Sequence, residues 1–163
     1  VIQGFPVLSS LGDFFHRREE RNKVAMAIAR LMSKLDMEEM AFDEGLKESR
    51  RDARTRHVSI GMWLIPASDE TPFEDIDFSR SIPCVTCDLR RHGIGVLIYE
   101  RLKETRFIAA IADLEDSWRF FRVSIRHQSQ RPGGWYHLGL NVDGIAEPST
   151  WQLNRLQHRI SNR

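Results

Sequence analysis

From Thr55 onward the chain counts in twos, and that period restricts the fold more than any other feature. Val58, Ile60, Met62 and Leu64 alternate with His57, Ser59, Gly61 and Trp63 as far as Pro66. Successive side chains of an extended backbone point to opposite sides, so this is a strand with one buried face. β-Branched and apolar stretches follow at 82–87, 94–99 and 107–111. Phe121, Val123 and Ile125 then alternate with Arg122, Ser124 and Arg126, and Tyr136, Leu138, Leu140 and Val142 return after the Arg131-Pro132-Gly133-Gly134 turn. Six antiparallel strands with short connections leave two raw edges unless the sheet closes on itself. The pattern therefore predicts a mainly β protein with flanking helices, built on a small six-stranded antiparallel barrel. Pro148 opens a last helix on which Leu153, Leu156 and Ile160 share a face, and this helix is expected to plug one end of the barrel.

Upstream of the strands the period is helical. Val24, Ile28, Leu31 and Leu35 recur at helical spacing with Ala25, Ala27 and Ala29 between them, while Asp36 and Glu39 read as a capping box that starts a second short helix toward Gly45. Phe14, Phe15, Met37, Met40 and Phe42 read as packing residues. The expected division is an N-terminal helical segment at 1–46, the barrel at 47–146 and the C-terminal helix, packed on the barrel, at 147–163.

A chain of 163 residues can bury a core, and its net charge of +1 provides no global field toward DNA or an anionic membrane. Charge is local instead. Asp69, Glu70, Glu74, Asp75 and Asp77 make one acidic loop, whereas 47–56 and 119–131 are basic. The arginines at 119, 122, 126 and 131, and Arg155, His158, Arg159 and Arg163 on the last helix, lack the interleaved aromatics of a nucleic-acid groove, so no nucleic-acid role is expected. No apolar run approaches the roughly 20 residues that span a bilayer, and no charged-then-apolar leader opens the chain, so membrane insertion is not expected and a cytoplasmic location is. A start at Val1 reads as a processed or excised chain.

Cys84 and Cys87 form a C-x-x-C, but on a strand that spacing sends the side chains to opposite faces. Without a second cysteine pair or matched histidines, two reduced, mostly buried thiols are expected and no metal site. None of the six histidines has H-x-x-x-H spacing, and G-x-S-x-G and P-loop motifs are missing, so neither an enzyme nor a cofactor is expected; His57 and His92 read as surface donors.

Two motifs remain, and both point to an anionic ligand. Arg50-Arg51-Asp52-Ala53-Arg54 carries two planar guanidinium groups in RxxxR spacing, whose paired donors match phosphate and the O6/N7 edge of guanine. Asp88-Leu89-Arg90-Arg91-His92-Gly93 reads as a polar turn between two strands. Its Asp88 carboxylate can accept from N1–H and N2–H of guanine, and its Gly93 permits backbone angles closed to other residues. A guanine nucleotide is the expected ligand.

An arginine fork leading into the first barrel strand, followed by a D/N-x-S-x-x-G turn between the second and third, resembles the PilZ family of bacterial cyclic di-GMP receptors. The resemblance covers roughly residues 47–141, including the rhythm of Gly134-Trp135-Tyr136-His137-Leu138-Gly139-Leu140. It implies that Arg50 and Arg54 clamp the ligand, Arg51 is an accessory cation, Asp88 reads guanine and Gly93 lets the backbone approach. Arg90 departs from it, standing where the family has serine. Either its guanidinium swings to a phosphate or guanine face, or it pairs with Asp88 and closes the site. The implied function is a receptor or adaptor that converts cyclic di-GMP binding into a changed contact with an unidentified protein partner. The alternative is a nucleotide-independent PilZ-like interaction protein that forms homo-oligomers through its N-terminal helices.

Overall fold

The computed structural model describes residues 20, 23, 24, 26, 27, 55–57, 59–68, 70–112 and 117–162. Among them are strands β1 (Thr55–His57), β2 (Gly61–Pro66), β3 (Ile82–Arg90), β4 (Gly93–Ile98), β5 (Arg106–Ala112), β6 (Trp118–Gln130) and β7 (Tyr136–Ile145), and helix α1 (Thr150–Ser161). All the pairings are antiparallel. The order β3-β2-β5-β6-β7-β4 closes through a direct β3–β4 pairing, which gives the six-stranded barrel that the period-two pattern calls for.

The first barrel strand is broken into two pieces. β1 lies opposite residues 88–90 of β3 and β2 opposite residues 82–85, so the two follow one another along the same neighbour. Thr86 bridges the gap: its Oγ1 accepts from Ile60 N at 2.9 Å and its own N donates to Ile60 O at 3.0 Å. This buried hydroxyl thus satisfies the backbone where the ladder is interrupted.

Alternation decides what enters the barrel. Met62, Leu64, Leu89, Ile94, Val96, Phe107, Phe121, Leu138 and Leu140 meet in the interior. On β5 the expected one-sided burial is exceeded, because Ile108 and Ala110, which face outward, are also buried. They belong to a second apolar layer with Ile65, Phe78, Phe120 and Leu156, laid over the outside of β2, β5 and β6.

The same layer revises the placement of the C-terminal helix. α1 does not plug the barrel end; Leu156 is buried and Leu153 and Ile160 half-buried against the outer layer. The acidic connection also becomes more than a solvated loop, since Ile76 and Phe78 insert beneath the helix while Glu70, Glu74 and Asp75 stay exposed. Gln152 locks the two together. Its Nε2 donates to Phe73 O at 2.7 Å and Ile76 O at 3.2 Å, and its Oε1 accepts from Ser149 N at 3.0 Å. Ser149 is thus the N-cap of a reciprocal capping box, one residue after the Pro148 expected to open the helix.

A residue of the N-terminal segment joins the inner core. Val24, helical and 1% exposed, packs with the barrel-interior cluster, and Ala27 lies against it. The continuation of that helix through Ile28, Leu31 and Leu35, the capping box at Asp36 and Glu39, and the packing residues Phe14, Phe15, Met37, Met40 and Phe42 lie outside the described residues.

Candidate functional site

The outer surface of β3, β4, β7 and the far half of β6 has no apolar cover among the described residues, and its floor is glycine. Cross-strand register places Asp88 opposite Gly95, Gly95 opposite Gly139, and Gly139 opposite His127, a single row across four strands. A Cβ on Gly95 would collide with the Asp88 carboxylate, and one on Gly139 with the His127 ring. The two outer side chains of the row therefore fold inward over the two inner glycines. The result is an open cleft of about 590 Å³.

Gly93 lies one step further along β4, at the edge of this cleft. The expectation that it serves an unusual backbone angle is corrected, because among the described glycines only Gly133 (φ 77°) and Gly134 (φ 83°) have positive φ. Gly93 matters through close approach instead: a Cβ there would stand 3.2 Å from Leu140 O of the neighbouring strand.

The six-residue polar turn is also shorter than it reads. β3 continues through Arg90, and only Arg91 and His92 separate it from β4. Leu89 is the cause: fully buried in the barrel, it keeps the chain extended and sends Asp88 and Arg90 together to the outer face. The two side chains meet there. Arg90 Nε donates to Asp88 Oδ1 at 3.1 Å, joining a guanidinium 63% exposed to a carboxylate 13% exposed. The pairing with Asp88 that its sequence position allows is thus present.

A bulge in β3 supplies a further neighbour. Thr86 pairs with Val96 and Asp88 with Gly95, so Cys87 is the extra residue and shares the position opposite Gly95. The Cys87 Sγ donates to Asp88 Oδ2 at 3.7 Å. Burial and the adjacent Asp88 charge raise the thiol above its ordinary range. Cys84 faces inward, opposite to Cys87 as the spacing predicts and the only one of the two that is buried; it donates to Met62 O at 3.5 Å and is pushed by burial up to about 12. Neither cysteine is in a disulfide.

Arg90, Arg91, His92, Arg126, His127, His137 and Asn141 also line the cleft, so Asp88 sits in a cationic rim. His127 and His137 lie with ring centroids 5.4 Å apart. Burial, followed by Arg131 and His127, pulls His137 below the usual imidazole range. Neither histidine stands out in the sequence, since ten positions separate them. The signal that locates them is the Pro132-Gly133-Gly134 turn midway between, which folds β6 back on β7. Arg122, by contrast, leaves the basic run of β6 and stacks over Phe73 at 5.0 Å.

Asp88, Arg90 and Gly93 are thus brought together at one cleft. Arg50, Arg51 and Arg54 lie outside the described residues, as does the side chain of His57. Thr55, the residue after the arginine motif, pairs in register with Arg90.

No protein-family model matches the chain. A search of curated proteins likewise finds no match. Among solved structures the chain is similar to the Bacillus subtilis inhibitor of motility MotI/DgrA, at 16% identity and a TM-score of 0.44, over 71% of this chain and 52% of that one. The chain therefore spans about half the length of that protein.

Proposed function

We propose that this chain is a cyclic di-GMP receptor that acts as an adaptor, with the glycine-floored cleft as its nucleotide site. The observation that carries the reading is the Asp88 carboxylate within a rim of Arg90, Arg91 and Arg126 over a floor of Gly93, Gly95 and Gly139. The glycines let the Asp88 carboxylate and the His127 ring lie close to the sheet, which leaves the cleft above them open to a purine; the rim offers donors to phosphate while Asp88 offers acceptors to the guanine edge. The register of Thr55 opposite Arg90 supports joining the RxxxR motif to the same site, because covalent geometry limits each residue's reach to about 3.8 Å. Arg50 and Arg54 then act as the clamp, with Arg51 as an accessory cation. Arg90 acts as a latch, since guanine must displace its guanidinium from Asp88 Oδ1 before the carboxylate can read the base. Binding at the arginine motif alters a protein contact, which is the output.

The Arg90 to Asp88 ion pair also favours a second reading, a nucleotide-independent adaptor whose reader is permanently occupied. In that case Val24, spent inside the barrel core, is not a residue for oligomerisation. Calorimetry with cyclic di-GMP on the wild type, Arg50→Ala and Arg90→Ser separates the two. A receptor gives heat in the wild type that Arg50→Ala abolishes and Arg90→Ser enhances. Equal heats for wild type and Arg50→Ala would remove the clamp, and binding by Arg90→Ser alone would make the chain the nucleotide-independent adaptor.

A further inference from the structure

The β3 bulge creates a donor set that the C-x-x-C spacing conceals. Cys84 is turned into the barrel, whereas Cys87 comes out beside Asp88 and across β4 from His137. A ligand atom from each of Cys87, Asp88 and His137 lies within 4.8 Å of the other two. We propose that Cys87, Asp88 and His137 form a binding site for a transition-metal dication of the zinc class, which needs no nucleotide and shares Asp88 with the proposed nucleotide site.

The chemistry of the set selects the metal. Sulfur, imidazole nitrogen and carboxylate oxygen are together the donors of zinc, which is held at about 2.0 to 2.3 Å in a tetrahedron. The existing separation of 3.7 Å between Cys87 Sγ and Asp88 Oδ2 is close to one edge of such a tetrahedron. Hard cations are disfavoured, since magnesium and calcium take oxygen ligands. A thiolate and a carboxylate neutralise the dication, and the thiol proton passes to water on binding, so affinity rises with pH.

The surroundings supply what a ligand set needs behind it. Arg90 Nε holds Asp88 Oδ1 and so leaves Oδ2 turned toward Cys87 and the metal. Gly95 keeps the space between the donors open, because its Cβ would stand 3.0 Å from Cys87 Sγ and 2.8 Å from Asp88 Cγ. Asp88 and His137 line the cleft, so the fourth coordination position opens into it, where His127 or water completes the shell.

The test uses the untagged full chain, loaded with cobalt(II) as a spectroscopic probe and, separately, with zinc followed by dialysis and elemental analysis. One zinc per chain and a thiolate-to-cobalt charge-transfer band are expected. Cys87→Ser should abolish the band and Cys84→Ala should keep it. His137→Gln, at a half-buried position, should weaken zinc by at least the roughly tenfold to hundredfold that loss of an orienting partner already causes. Circular dichroism checks that each variant is folded, and His137→Gln carries the test if Cys87→Ser is not. Absence of the band in the wild type, its survival in Cys87→Ser, or zinc affinity unchanged in His137→Gln would each overturn the proposal. None of these readouts involves cyclic di-GMP, so failure here leaves the nucleotide reading untouched, and the reverse holds too.

Discussion

The barrel has two outer faces built from the same alternating strands, and they are treated in opposite ways. Over β2, β5 and the first half of β6 the outward positions hold Ile65, Ile108, Ala110 and Phe120, and α1 with the inserted Phe78 covers them. Over β3, β4 and β7 the outward positions hold Asp88, Arg90, Gly93, Gly95, His137 and Gly139, and the surface is an open cleft. One face thereby becomes a second core, and the other an open cleft in which the Asp88 carboxylate and the His127 ring lie over glycines. The difference lies in the outward-facing residues alone, since both faces share the same inner core and ladder. Apolar packing is concentrated on the first, and ionisable side chains on the second.

The largest expected effect breaks the covered face. Phe78 is fully buried between helix and sheet, so Phe78→Ala should cost about 3–5 kcal/mol in urea unfolding, the usual penalty for emptying an aromatic site. Gln152→Ala should cost about 1–3 kcal/mol, because it strands the Phe73 and Ile76 carbonyls and removes half of the capping box. Substitutions on the open face should behave differently. Arg90→Ser removes an exposed guanidinium from the buried Asp88 carboxylate and should cost about 1 kcal/mol, while raising cyclic di-GMP affinity in calorimetry. Gly139→Ala should move stability by about 0.5 kcal/mol or less, since the exposed His127 ring can rotate away, yet reduce nucleotide binding by pushing that ring up into the cleft. A stability loss in Gly139→Ala as large as that of Phe78→Ala would erase the contrast between the faces.

The smallest effect is one of pH. The folded state holds His137 below its ordinary value of 6.5 through burial, with Arg131 and His127 adding to it. The unfolded chain therefore binds the proton more readily, so this contribution to stability is complete above 6.5 and is lost as pH falls from there toward the lowered folded value. Thermal melts across that window should show a slope that flattens in His137→Gln. An identical slope in the variant would assign it to other groups.

Strand existence and the inner core were legible because they depend on local alternation: Met62, Leu64, Phe121, Leu138 and Leu140 can be assigned to the interior by counting. The face of the C-terminal helix was equally readable, from Leu153, Leu156 and Ile160. What it packs against was not. The run at 107–111 contains the clue, since an apolar residue at every position leaves no side for water, but only the docked helix and Phe78 show which partner covers it. Of the candidate site, Asp88, Arg90 and Gly93 were legible as a motif, although Leu89 turns half of that motif into strand.

The sequence by itself determined a closing antiparallel sheet, its interior and a terminal amphipathic helix, because periodicity is a property of neighbours in the chain. Only the tertiary structure decided that Gly95 and Gly139 align into a floor, that Arg90 engages Asp88, and that Cys87 and His137 face one another across β4. Those relations depend on strand register and on one bulged residue. A shift of a single position moves every side chain to the other face, so residues far apart in sequence meet only once the whole ring has closed.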